Sequence, residues 1–139
     1  MPRESVQEKL SISRIEDVPD TEQRILDAAS EQGYGEPDCF AIKLALEEAL
    51  ANAIKHGNRS DPAKSVEVSY EIDKDSVRVT ICDQGPGFSP DELPDPTLDE
   101  NLAKPFGRGV MLMRTYMSDI SFNTSGNCVT MVKRRSEST

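Results

Sequence analysis

An aspartate that a strand delivers into a turn with two glycines is suited to gripping a ligand. Val77-Arg78-Val79-Thr80-Ile81-Cys82 alternates apolar and polar residues as a half-buried strand does, and Asp83-Gln84-Gly85-Pro86-Gly87-Phe88 follows it directly. A carboxylate there can accept a hydrogen bond from an exocyclic base amine, and glycines without Cβ let a planar ring approach bare backbone. The same residue types also build an ordinary loop, so the turn alone leaves a nucleotide pocket and a plain connection both open.

A second group lies upstream. Ile42, Ala45, Leu46, Ala49, Leu50, Ala53 and Ile54 recur at helical spacing and form one apolar stripe. Glu48 and Asn52, four residues apart, share one flank of it, Lys55 follows on the same side, and Glu47 points to the other flank. A carboxylate, an amide and an ammonium in one row can supply a general base, an oxygen ligand for a hard cation and a phosphate contact. A solvated helix edge has the same charges, but Asn is a poor interior helix former that packing does not call for. The third group is Gly107-Arg108-Gly109-Val110. Opening a helix, it lets a phosphate approach free amide donors where the macrodipole favours negative charge; a flexible hinge would use the same glycines.

The elements that must position these groups follow from periodicity and punctuation. Residues 5–13, with Val6, Leu10 and Ile12 at even spacing, read as a strand. Pro19-Asp20-Thr21 offers a cap for a helix through about residue 32, ended by Gly33 and Gly35. Pro37-Asp38 opens a longer helix to about His56, and Gly57 supplies its stop. Strands are expected at 65–72 and 76–82 around Asp73-Lys74-Asp75, and at 119–123 and 128–133 around Gly126-Asn127, with a helix from the 107–109 glycines through about Met117. Between the last two sites, residues 88–106 carry Pro90, Pro94, Pro96 and Pro105 with Asp91, Glu92, Asp95, Asp99 and Glu100, a composition suited to a lid. Residues 134–139 read as a frayed tail. The order predicts an α+β two-layer sandwich: a mixed, mainly antiparallel sheet with three helices on one face, as a single domain over 1–139 with its core at about 5–133.

Composition narrows the function classes. A formal net charge of -9, from 25 acidic and 16 basic residues, disfavours a nucleic-acid partner. No long apolar run or export signal is evident, so the expectation is a cytoplasmic protein without a membrane partner. Cys39, Cys82 and Cys128 are odd in number and lack Cys-x-x-Cys spacing, which predicts reduced packing residues rather than a disulfide or zinc site. His56, the only histidine, reads as a cap or packing residue, and Met111, Met113 and Met117 with Leu112 and Tyr116 as core and interface filling.

Taken in order, Glu48-x-x-x-Asn52-Ala53-x-Lys55-His56-Gly57, Asp83-x-Gly85-x-Gly87-Phe88 and Gly107-Arg108-Gly109-Val110 resemble the N, G1 and G2 boxes of the GHKL superfamily of ATPases, which share the Bergerat fold. The glutamate before the asparagine and the run of Gly-Arg-Gly-Val into Met111-Leu112-Met113-Arg114 resemble, within it, the RsbW-like anti-sigma-factor serine/threonine kinases. The resemblance implies ATP and Mg²⁺ as cofactors. It casts Asp83 as acceptor for the adenine amine, Gly85, Gly87 and Phe88 as the seat of the base, Asn52 as a Mg²⁺ ligand and Glu48 as the general base toward a protein serine hydroxyl or a water. It further sets Lys55, Gly107, Arg108, Gly109 and Val110 near the phosphates and Thr130 near the base. Family kinases usually carry a lid arginine, whereas this lid is acidic, with Lys104 before the glycines and Arg108 just inside. The implied partners are a sigma factor and a STAS-type anti-sigma-antagonist, with a homodimer as the implied assembly. The alternatives are a regulatory module that binds ATP and sequesters a partner without transferring phosphate, and a free-standing ATPase domain of a sensor kinase.

Overall fold

A computed structural model describes residues 5–85, 105–123 and 127–136, with backbone alone at 105–110. Strand β1 (Ser5–Ile12) leads through a tight turn at Ile15–Asp17 into α1 (Val18–Glu31) and then α2 (Glu36–Ala51), which widens into a π-helical turn at Asn52–Gly57. Strands β2 (Val66–Asp73) and β3 (Ser76–Cys82) follow, then α3 (Pro105–Tyr116), β4 (Asp119–Phe122) and β5 (Cys128–Arg134). The five strands form one sheet in the order β1-β2-β3-β5-β4.

Every pairing in that sheet is antiparallel, where the sequence suggested a mixed sheet. The reason is topological. The α3 crossover makes β4 run parallel to β3, but β5 returns between the two, so each strand meets only neighbours of opposite direction.

Alternation decides which face is buried. Val66, Val68, Tyr70 and Ile72 of β2, Val77, Val79 and Ile81 of β3, and Val129 and Met131 of β5 are all buried. Register aligns them, with Val68 opposite Ile81 and Val79 between Tyr70 and Met131. Against this face pack Ile25 and Ala29 of α1, Ile42, Leu46 and Leu50 of α2, Met113 of α3 and Met117 just after it. Fully burying a side chain such as Leu46 or Leu50 contributes about 1.5–3 kcal/mol, so the stripe on α2 is what ties that helix to the sheet. The opposite face is polar, and the hydroxyls of Thr80 and Thr130 pair across it at 3.0 Å.

The expected elements are present, with four corrections. Helix α1 starts at Val18, so Pro19 lies inside its first turn, and the Thr21 hydroxyl donates back to the Asp17 carbonyl at 3.0 Å instead of capping. Cys82 and Cys128 are joined in a disulfide: they stand directly opposite each other in the β3/β5 register, their Cα atoms 4.0 Å apart. Only Cys39 is a free cysteine, as expected for all three. Arg134 belongs to β5, and Arg135 and Ser136 are anchored. The Arg135 N–H donates to the Asp75 carbonyl at 2.9 Å, its guanidinium lies 4.5 Å from the Tyr34 ring centroid, and the Ser136 N–H donates to the Asp38 carboxylate at 2.9 Å. Finally, α3 begins at Pro105, two residues ahead of the first glycine; the remainder of the predicted lid, and residues 137–139 of the predicted tail, lie outside the described residues. Among the described residues no helix is long and apolar enough to cross a membrane.

Candidate active site

The end of β3 is held from two sides. The Asp83 N–H donates to the Asn127 carbonyl at 2.8 Å, and the Asn127 side-chain amide donates to the Asp83 carbonyl at 3.1 Å, so the residue just before β5 fixes the main chain of the aspartate. Its carboxylate turns the other way: Oδ1 accepts the Gly85 N–H at 2.8 Å and the group lies against Gly57. A Cβ on Gly57 would stand 2.3 Å from the Asp83 Cγ, and one on Gly85 would stand 1.9 Å from the Gly57 carbonyl oxygen. The two glycines are interlocked with the acid between them, and neither has room for a side chain. Burial pushes the Asp83 carboxyl above its ordinary pKa, against the Gly85 N–H and the Lys64 charge, which favour the ionised form. A half-buried carboxylate with one oxygen engaged by its own turn is suited to accept a donor from a ligand.

Helix α2 brings the second group to this point. After Ala51 the hydrogen-bond spacing widens: the Asn58 N–H donates to the Ala53 carbonyl at 2.8 Å and the Ser60 N–H to the Ile54 carbonyl at 2.7 Å. Such π turns are rare and recur at functional sites. The turn starts at Asn52 and ends at Gly57, so the asparagine and the glycine that packs on Asp83 belong to one structural unit. Glu48 and Asn52 are both half-buried, Lys55 is exposed, and Glu47 lies exposed on the other flank. The Asn52 Nδ2 is buried and, among the described residues, has no hydrogen-bond partner. A buried amide without a partner leaves hydrogen-bonding capacity for a ligand, and its carbonyl oxygen is of the type that a hard divalent cation takes beside substrate phosphates; Asn52 therefore fits the metal that the sequence implies.

Helix α3 completes the set. Gly107, Arg108, Gly109 and Val110 lie in its first two turns, and the helix packs beside α2 and the 52–57 turn. The backbone thus sets α3 beside the asparagine-bearing turn. The side chains of 105–110 lie outside the described residues, as do Gly87, Phe88 and Lys104.

Thr130 is not brought to the others. It stands between buried Val129 and Met131, so its side chain points to the polar face, where it bonds Thr80. The residue that meets Asp83 from this side is Asn127, immediately before β5, which its sequence neighbours mark only as part of a turn. The sequence marks Gly57 as a helix stop and as the end of the first box, and assigns no role to Asn58 or Gln84. The His-Gly that closes the first box was the available signal for Gly57; for Asn127 there was none, because its contact spans the fold.

Comparison with known proteins identifies the family. Residues 13–133 match the family described as "Histidine kinase-like ATPase domain". The chain belongs to that family. Within this ATPase family it is similar to the serine-protein kinases RsbW. It is 30% identical over 114 residues to that of Bacillus licheniformis and likewise 30% identical to that of Bacillus subtilis (strain 168), in each case over 76% of this chain and 70% of the relative. It is also 36% identical over 75 residues to the sensor histidine kinase CpxA of Escherichia coli (strain K12), a match that covers 54% of this chain and 14% of that protein. Among solved structures, the crystal structure of the RsbU and RsbW domains of Rv1364c from Mycobacterium tuberculosis superposes with a TM-score of 0.55 at 16% identity, over 92% of this chain and 32% of that one. At that identity the likeness speaks for the shared Bergerat fold. The protein is an RsbW-like member of the histidine kinase-like ATPase family, as the three boxes implied.

Proposed function

We infer that the protein is an ATP-dependent protein serine/threonine kinase that phosphorylates an anti-sigma-antagonist and also sequesters a sigma factor. The observation that carries this reading is the seating of Asp83 on Gly57, which joins the base-reading acid to the turn that begins at Asn52. In this reading Asp83 accepts the adenine amine. Glu48, one turn before Asn52, takes the proton of the attacking serine hydroxyl, and Lys55 with the first turns of α3 meets the phosphates. Asn52 would hold Mg²⁺, which when bound neutralises charge on the phosphates. Phosphoryl transfer asks little more of a protein than positioning and charge neutralisation, so these residues are sufficient in kind. The RsbW kinases, to which the chain is 30% identical, support the choice of a protein serine as acceptor. The implied homodimer is part of the same proposal.

The test is transfer from labelled ATP to an anti-sigma-antagonist. Glu48→Ala should lower transfer by about 10²–10⁴-fold and leave nucleotide affinity nearly unchanged, as expected for loss of a general base; phosphorylation at the wild-type rate would remove Glu48 from that role. Asn52→Ala should abolish the gain in ATP affinity that Mg²⁺ brings, as read by titration with and without the metal.

A second reading has one specific feature in its favour. The stretch with Asp91, Glu92, Asp95, Asp99 and Glu100 holds a single cation, Lys104, where phosphate neutralisation would call for more. On that reading the protein binds ATP and captures its partner without transfer, and the same assay separates the two: antagonist bound but unlabelled.

A further inference from the structure

Asn58 follows Gly57 and is 2% exposed, which makes it one of the few buried polar side chains in the described residues. Its carbonyl oxygen accepts the Gln84 N–H at 2.7 Å, and its amide donates to the Ser65 carbonyl at 3.0 Å. The Gln84 side-chain oxygen in turn accepts the Ser65 N–H at 2.7 Å. Three hydrogen bonds therefore close a ring that joins the end of the π turn, the residue before β2 and the turn after β3. The orientation of the Asn58 amide is unambiguous, because one end faces an N–H and the other a carbonyl. Gln84 stands between Asp83, which packs on Gly57, and Gly85, whose N–H bonds the Asp83 carboxylate. Whatever holds the Gln84 peptide holds both of its neighbours.

We propose that Asn58 is a positioning residue for base recognition: through Gln84 it fixes the Asp83 carboxylate where a purine 6-amino group is read, and so sets the preference for 6-amino over 6-oxo purine nucleotides. This rests on the reading of Asp83 as the acceptor for adenine. The physical reason is rigidity. A 6-oxo purine presents an acceptor to the carboxylate, and the clash discriminates only while the carboxylate cannot move away; a site built to receive a donor rejects an analogue that lacks it when its own polar groups are left unpaired. Removing Asn58 takes from the Gln84 N–H and the Ser65 carbonyl the partner they share and frees the turn.

The experiment is titration of the intact protein with Mg·ATP and with Mg·ITP, which differ at position 6 of the base. The wild type should prefer ATP. Asn58→Ala should cut the ATP/ITP affinity ratio by about tenfold, chiefly through loss of ATP affinity, as expected when a buried hydrogen-bond network is broken. Gln84 is exposed, so its variants probe the ring even where Asn58→Ala folds poorly. Gln84→Ala should cut the ratio by about threefold, whereas Gln84→Glu, which keeps an acceptor for the Ser65 N–H, should restore it to within about twofold. An unchanged ratio, or equal loss of both nucleotides, in Asn58→Ala and Gln84→Ala overturns the positioning role while leaving the ATP site standing. A wild type that binds no ATP overturns the ATP reading, and this role with it.

Discussion

Two glycines hold Asp83 in place by having no side chain. A methyl group on Gly57 would enter the space of the carboxylate itself, 2.3 Å from Cγ, so Gly57→Ala must displace the acid. We expect the ATP dissociation constant to rise by about ten- to a hundredfold, the loss of one charge-assisted hydrogen bond, when measured by calorimetry. Gly33→Ala is the matching control. Gly33 has a φ of +91° and faces Arg135, away from the site, so its alanine variant should lower stability by about 1 kcal/mol and leave ATP affinity unchanged. At this scale the sequence was legible where a residue's neighbours in the chain explain it. Asp83 ends an alternating strand and Gly85 sits in its turn. Asn127 reaches Asp83 from 44 positions away, and nothing in its own surroundings announces that. Thr130 was attractive as a hydroxyl, but the period of two along β5 points it to the wrong face.

Between α1 and α2 a buried carboxyl carries a pH dependence that belongs to helix packing. Glu22 is 5% exposed, and among the described residues its Oε1 has no hydrogen-bond partner. Burial first, then the Glu47 charge, push its pKa from 4.5 up to about 7, while Lys43 acts in the other direction. Because the folded pKa lies above the unfolded one, the protonated form is the favoured one in the fold. Its contribution to stability is full below pH 4.5 and is lost as the pH rises through about 7. Urea melts at pH 5 and pH 8 should therefore show a drop in the wild type that Glu22→Gln largely removes, with the variant more stable by about 1–2 kcal/mol at pH 8. Equal pH dependence in both proteins would assign the effect elsewhere. The helices themselves were legible, since the α2 stripe from Ile42 to Ile54 is buried residue for residue. The widened turn at Asn52–Gly57 was not: a switch from i+4 to i+5 bonding changes no residue type, and the stripe continues through it.

Across the whole molecule the strand order, rather than any one element, decides the covalent frame. Cys82 and Cys128 are 46 residues apart and meet because β5 inserts beside β3. Denatured under non-reducing conditions, the protein should titrate with one free thiol, that of Cys39, and three after reduction. Replacing Cys82 and Cys128 together by serine should lower stability in denaturant by about 2–4 kcal/mol, because the unfolded chain regains the freedom that the closed loop removed. Two free serine-like partners with no loss of stability would show that register alone holds β3 to β5. The same long-range order docks Arg135 and Ser136 on Tyr34 and Asp38, so these two residues close over the start of α2.

What the sequence by itself determined is whatever depends on short range. Periods of 2 and 3.6 mark the strands and helices, punctuation separates them, and three ordered boxes point to a Bergerat ATPase. The tertiary structure alone decided that the sheet is antiparallel throughout, that Cys82 meets Cys128, that Gly57 and Gly85 lock around Asp83, and that Asn58 ties the turn of one box to the helix of another. Each of these is a contact between segments far apart in the chain. Such contacts exist only once burial of the shared apolar face has chosen which strands and helices lie side by side, and local residue patterns do not encode that choice.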